Sequence, residues 1–252
     1  MKRAKGGKGQ VMENVSYIGL SRQMALREQM NVVAHNIANM NTPGFKNQNM
    51  VFTEYLAGAD NNGKDTISEV MDYGTYRDLS QGSFTKTHNP LDFALSGDGY
   101  FAVKTQSGTR YTRAGNFSLN QNREIVTQSG DLVQGDGGGS IVIPEGENKI
   151  VVTSDGAIST ENGEVGAFKI VKFEDQHEML EKGNGYYSTE QTAKPATDTS
   201  AIQGMVEKSN VQPIVEMNKM IEILRAYQST QRILQSDHER QRTAIQRLSR
   251  NQ

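Results

Sequence analysis

The sequence predicts a mixed fold: N- and C-terminal α-helices that form a coiled-coil pair, with an all-β domain inserted between them. Three observations carry this. Apolar residues recur every three or four positions over residues 13–40, the spacing of one helix face. They do so again, for longer, over residues 211–249. Between these stretches, from residue 75 to 205, the period falls to two and turn residues recur at roughly ten-residue intervals.

In the first helix Leu26, Met30, Val33, Ile37 and Met40 step by four, three, four and three, which aligns them as one seam. The helix stops at NIANMNTPGFK, residues 36–46, with more special residues than a stop requires. Pro43 cannot continue the hydrogen-bond ladder and pushes Thr42 toward an extended conformation. Gly44 frees the backbone to turn. Asn39 and Asn41 can bond backbone groups at the helix end, and Phe45 can anchor the departing chain in an apolar groove. Ahead of the helix, residues 1–11 hold one large apolar residue besides methionine, Val11, and are expected to be an extension without a core. Residues 43–74 are expected to be an extended connector with a polar loop at AGADNNGKDT.

In the β region YFAVKT, RYTRAGNFSL, EIVTQSGDLVQG, SIVIP, KIVVTSDGAIST and AFKIVKF are strand-like. SGDG, QSG, GDGGG, SDG and ENG mark turns between them. GDGYFA, residues 97–102, fits a phosphate-loop spacing but runs into a strand and not into a helix, so a hairpin turn is expected there.

The second helix is expected to begin near Pro213, which suits a first helical turn. Its seam reads Met217, Met220, Leu224, Tyr227, Gln231, Leu234, His238, Gln241, Ile245, Leu248, alternating threes and fours as a heptad repeat does. At about 1.5 Å per residue the helix is roughly 57 Å long, which favours a coiled-coil partner over a simple surface helix.

Composition excludes several function classes. The net charge is −2, so no global basic balance points to nucleic acid. There is no cysteine to cross-link or to bind metal. No run of 18 apolar residues could form a membrane-spanning helix, and the basic start leads into no apolar core of the secretory type. His35, His88, His177 and His238 lack partners at metal-ligand spacing. GDGGGS has no following lysine, no G-x-S-x-G elbow occurs, and residues 60–69 match a calcium loop poorly, with Lys64 at a ligand position. The expectation is no catalytic residue, no cofactor and no metal, no nucleic-acid partner and no direct membrane insertion.

Three segments carry a resemblance. NIANMNTPGFK resembles the N-terminal signature of bacterial flagellar axial proteins, the rod, hook and hook-associated proteins. IVEMNKMIEILRAYQSTQRILQSDHE, residues 214–239, looks like their C-terminal signature. PLDFALSGDGYFAVKTQSGTRYTRAGNFSLNQNREIVTQSGDLVQG, residues 90–135, is similar to the β motif of rod and hook proteins. The resemblance covers nearly the whole chain from Met12 and places the family motif on Asn36, Ile37, Ala38, Asn39, Thr42, Pro43, Gly44 and Phe45. It departs at His35, where the family has asparagine, and at residues 1–11. It implies a non-catalytic subunit of the basal-body rod, exported by the flagellar type III apparatus without a cleaved signal peptide. Its partners would be copies of itself and other rod proteins, in a rod that crosses the periplasm and transmits torque. Length and N-terminal segment resemble the proximal-rod members most, with distal-rod members next. The helical part, residues 12–42 plus 211–252, would form the inner layer of a tube, with the chain leaving it at a fixed angle set by the Thr-Pro-Gly stop. On periodicity alone, two other readings stay open: a carbohydrate-binding or lyase β protein with helical ends, and a coiled-coil adaptor of another secretion machine.

Overall fold

A computed structural model describes residues 7–57, 67–147 and 149–250, with side chains over 17–51, 74–147, 149–247 and at 249. The chain folds as two compact units. One comprises Met1–Ile37, Gln48–Tyr76 and Pro213–Gln252; the other comprises Ala38–Asn47 and Arg77–Gln212.

The first unit holds the long helices α1 (Gly7–Ala38) and α2 (Pro213–Arg250) and a two-stranded sheet of β1 (Gln48–Ala57) and β2 (Ile67–Arg77). The mixed helix-and-strand architecture is as the sequence predicts. α2 starts on its proline, whose ring fixes φ for a first turn and whose missing N–H has no ladder partner to lose there. α1 begins at Gly7 and so runs through the expected boundary at Met12. Gly19 stands against Leu234 and Asn36 against Glu216, so the helices are antiparallel. The stretch read as an extended connector contains the two strands of a hairpin, drawn from β-branched and aromatic residues in QNMVFTEYLA and ISEVMDYGTYR. Residues 58–66, most of the expected polar loop, lie outside the described residues.

The second unit is antiparallel β. Its strands are β3 (Phe84–Lys86), β4 (Phe93–Ser96), β5 (Tyr100–Thr105), β6 (Gly108–Thr112), β7 (Ser118–Leu119), β8 (Ile125–Val126) and β9 (Leu132–Val133). There follow β10 (Val151–Val152), β11 (Ala157–Thr160), β12 (Gly163–Ala167), β13 (Ile170–Lys172), β14 (Leu180–Glu181), β15 (Tyr186–Ser188), β16 (Lys194–Pro195), β17 (Ser200–Gln203) and β18 (Met205–Glu207). The largest sheet has the path β14-β15-β6-β5-β9-β8-β7, with β13 joining β5 to β16. β10, β11 and β12 form a meander, and the returning strands β17 and β18 pair with β4 and β3. QSG and ENG close the β5–β6 and β11–β12 hairpins, as their turn chemistry predicts. SGDG does not close one. β4 pairs with β17 while β5 pairs with β6, so these glycines make a corner between sheets. The side chains of Thr199 and Ile170 lie so close to Gly99 that a Cβ there would need them to move.

Phe93, Leu95, Phe101, Val103, Ile125, Ile143 and Ile158 are wholly buried and form the centre of the core. Phe101 packs edge-on against Phe117 and Phe168, with centroids 5.0 and 5.5 Å apart. β4 and β5 are buried on both faces, which is why their sequences, FALS and YFAV, do not alternate.

A second cluster gathers Tyr100, Val171, Phe173, Met179 and Tyr187. The Arg77 guanidinium lies 4.6 Å from the Tyr187 ring centroid and donates to the Gln176 and Met179 carbonyls. Burial pushes the Tyr187 phenol up from 10.0 to about 12, and raises Tyr100 for the same reason. A phenol that resists ionising in the fold stabilises it fully below pH 10, and that contribution is lost as pH rises toward 12. Phenolate absorbance of the native chain should therefore show a late-titrating class, and Tyr187→Phe should remove part of it and flatten the loss of stability above pH 10.

Candidate functional site

Chain signature residues 39–46 are held within the β unit. Thr42 donates from its N–H to the Asn39 carbonyl and from its hydroxyl to the Asn39 side-chain oxygen, both at 3.1 Å. Phe45 N–H returns to the Thr42 carbonyl at 3.3 Å, closing a turn around Pro43 and Gly44. Gly44 has φ 70°, and a Cβ there would stand 2.6 Å from the Arg113 carbonyl carbon and 2.7 Å from the Ala114 nitrogen. Both conformation and close approach demand glycine. Its N–H donates to the Glu207 carbonyl at 2.9 Å, and Phe45 is buried. Asn41 is exposed.

Beneath this turn lies a buried ionic cluster. Lys46 Nζ donates to Glu207 Oε1 at 2.7 Å and to the Ser80 carbonyl at 2.8 Å. Glu207 Oε1 also accepts from Gly82 N–H at 3.0 Å. Arg113 Nη2 stands 3.1 Å from Glu207 Oε2, near enough for charge pairing. Neither Oε2 nor Arg113 Nε has a hydrogen-bond partner among the described residues. Arg113 Nη1 instead donates to the carbonyls of Gly97 and Gly99. Glu207 is 1% exposed, Lys46 3% and Arg113 5%. Burial holds Lys46 below its ordinary 10.5, with the attraction of Glu207 offsetting only part of the effect. The cluster ties the signature segment to the chain's return strand across 161 residues of sequence.

Asn210 acts beside it as a surrogate strand. Its oxygen accepts from Asn47 N–H at 2.7 Å, and its amide nitrogen donates to the Asp78 carbonyl at 2.9 Å and the Ser80 carbonyl at 3.0 Å. Asp78 N–H in turn bonds the Asn47 carbonyl at 2.8 Å.

In the helical unit Asn36 plays the same part. Its oxygen accepts from Gln48 N–H at 2.9 Å, and its nitrogen donates to the Gln48 carbonyl at 2.8 Å and to Glu216 Oε2 at 3.1 Å. Asn36 and Glu216 are each 1% exposed, and Lys219 pairs with Glu216 at 2.6 Å. The more buried stripe of α2 runs Glu216, Met220, Ile223, Tyr227, Thr230, Leu234, Asp237, Gln241, stepping four and three throughout. Of the sequence-predicted seam, Met220, Tyr227, Leu234 and Gln241 lie on it. Met217, Leu224, Gln231 and His238 sit one position later and are exposed, as is Ile245. The Leu248 side chain lies outside the described residues. On α1, Val33 is buried and Leu26, Met30 and Ile37 are half-buried, while Met40 falls past the helix end, in the turn that begins at Asn39. Ile37 and Ala38 close the helix. His35 is half-buried in its last turn.

Two apolar stripes are left on the surface of this unit. On α2 they are Ile214, Met217, Ile221 and Leu224, at 73%, 49%, 48% and 43% exposure. On α1 they are Tyr17, Leu20 and Met24, at 53%, 53% and 58%. Among the described residues no group of three or more histidine, cysteine or carboxylate side chains could hold a metal, and no helix is long and apolar enough to cross a membrane.

Sequence reasoning missed Glu207, Arg113, Asn210 and Glu216. In the sequence Lys46 shows only as the residue that ends the signature segment. A lone carboxylate in a strand carries no local mark of its partners.

Three family profiles match the chain. Residues 17–46 match the flagella basal body rod protein, residues 94–160 the flagellar hook protein FlgE/F/G D1 domain, and residues 202–247 the flagellar basal body rod FlgEFG protein C-terminal. The flagellar basal-body rod protein FlgF of Caulobacter vibrioides is 41% identical over 95% of this chain and 99% of its own length. The FlgF of Mesorhizobium japonicum is 33% identical over 94% and 98%. The flagellar basal-body rod protein FlgG of Bacillus subtilis is 33% identical over 88% and 94%. The three matched segments contain the Asn36 pin, the Gly44 turn, Glu207 and the whole α2 seam down to Gln241, and the likeness to FlgF runs nearly end to end, so the chain belongs to the flagellar basal-body rod family of FlgF.

Proposed function

We propose that this chain is a structural subunit of the flagellar basal-body rod, built into its proximal part beside copies of itself and other rod proteins. It would reach the periplasm through the flagellar type III apparatus and transmit torque there as a rigid element. The observation that carries the reading is the apolar stripe Ile214, Met217, Ile221 and Leu224 on a helix whose other face already has a partner. A helix uses one stripe to fold, and a second contiguous stripe suits a second helix. In this proposal residues 12–42 and 211–252 form the inter-subunit layer and residues 75–205 the β part of each subunit.

Two measurements test it. Leu224→Asp places a charge in the stripe that is exposed in the single chain. Folding should be unchanged, while rod assembly and motility are lost, since burying an unpaired charge between subunits costs several kcal/mol. Normal motility of that strain would contradict the assignment. The chain has no cysteine, so single cysteines report accessibility cleanly. In isolated basal bodies a cysteine at 224 should be protected from maleimide and one at 161, in the exposed β11–β12 turn, should react.

A further inference from the structure

We infer that the buried Asn36–Glu216 pair is the residue contact that sets the register of α1 on α2. This inference concerns the folding of the helical unit and stands apart from where the chain assembles. Its physical basis is the degeneracy of the seam. Met220, Tyr227 and Leu234 recur at heptad spacing along one line of the stripe, and Ile223, Thr230 and the buried Asp237 along the other. Sliding α1 by seven residues, about 10.5 Å, therefore replaces one apolar side chain by another of similar size along the Met220 line. Apolar packing alone discriminates weakly between such registers.

Asn36 breaks the degeneracy. In the observed register its amide nitrogen meets the Glu216 carboxylate while both amide groups stay bonded to Gln48. Slid by one heptad, Asn36 would face the apolar Ile223, and Glu216 would keep only Lys219 among its present side-chain partners. A buried carboxylate that loses one of its two side-chain partners and a buried amide hydrogen left without an acceptor carry the penalty of lost solvation. A buried polar contact between two helices is the best-attested way of fixing register. The Gln48 bonds add a second constraint, because they anchor the last turn of α1 to the first residue of the hairpin. Asn36 is thus a positioning residue for the helix pair, with Glu216 as its reader on α2.

The register can be read by disulfide trapping in the full-length chain, which has no cysteine of its own. Gly19 stands against Leu234: a Cβ on Gly19 would meet the Leu234 side chain at 2.5 Å. A Gly19→Cys, Leu234→Cys pair reports the observed register. Gly19→Cys with Tyr227→Cys or with Gln241→Cys reports a shift of one heptad either way, since a disulfide cannot span an extra 10 Å or so. With Asn36 and Glu216 intact, only the 19–234 pair should cross-link within one chain. In an Asn36→Leu, Glu216→Leu background, which replaces the polar pair by apolar side chains and keeps the helices paired, the 19–227 or 19–241 product should appear and the 19–234 yield should fall. Asn36→Asp should also lower the 19–234 yield, by setting two carboxylates together, and Glu216→Gln should restore part of it by returning an amide donor. Exclusive 19–234 cross-linking in the double-leucine chain would overturn the inference. So would absence of the 19–234 product in the parent chain.

Discussion

Glu207→Ala is expected to destabilise the β unit by about 3–5 kcal/mol, the loss typical when one partner is removed from a buried ion cluster. The carboxylate pairs with both Lys46 and Arg113, and it also accepts the Gly82 N–H. Its removal leaves two cations and a backbone donor buried. The effect should appear in urea unfolding of the purified chain as a lower midpoint. Glu207→Gln should cost less, because an amide oxygen can still accept from Lys46 and Gly82. Lys46 supplies an independent check through pH. Burial keeps its folded pKa below 10.5, so between that lowered value and 10.5 the unfolded chain binds more protons than the folded one. The contribution of this group to stability therefore rises with pH in that window, and the burial penalty is present in full below it. Relative to Lys46→Met, the parent chain should gain stability as pH climbs toward 10.5. The tyrosine losses are common to both chains and cancel in the difference.

Gly44→Ala should be the other severe substitution, on the order of 3 kcal/mol from a left-handed conformation combined with overpacking. The new methyl would meet the backbone of Arg113 and Ala114, which has no flexible tip to swing away. The turn from Asn39 to Phe45 should open, and with it the Gly44 N–H bond to Glu207. Gly108→Ala is the matched control. It too has positive φ, 100°, but nothing lies within 4 Å of its would-be Cβ. A Gly44→Ala chain no less stable than Gly108→Ala would mean that the close approach to Arg113 is unimportant.

These residues show what the sequence made legible. Helix positions were readable because apolar side chains recur at helical spacing and because Pro43 and Pro213 punctuate the ends. The β region was readable from its turns. The exact face of α2 was not. Apolarity pointed to Met217 and Leu224, whereas the buried stripe passes through Glu216, Thr230 and Asp237, all polar and each under 7% exposed. A buried polar side chain in a helix pair has no hydrophobic signature, and its presence is decided by what faces it. Glu207, Arg113 and Lys46 were hidden for the same reason, since their meeting depends on the return of β18 to β3. Of the signature, Gly44 was legible as a turn residue. Asn36 was legible only through the family resemblance, and its double bond to Gln48 required the fold.

The most direct measurement is electron microscopy of basal bodies from a strain lacking this chain. Membrane rings with the rod truncated near its start and no hook or filament are expected, with restoration of all three when the intact chain is supplied. Complete rods and filaments in the deletion strain would contradict that expectation.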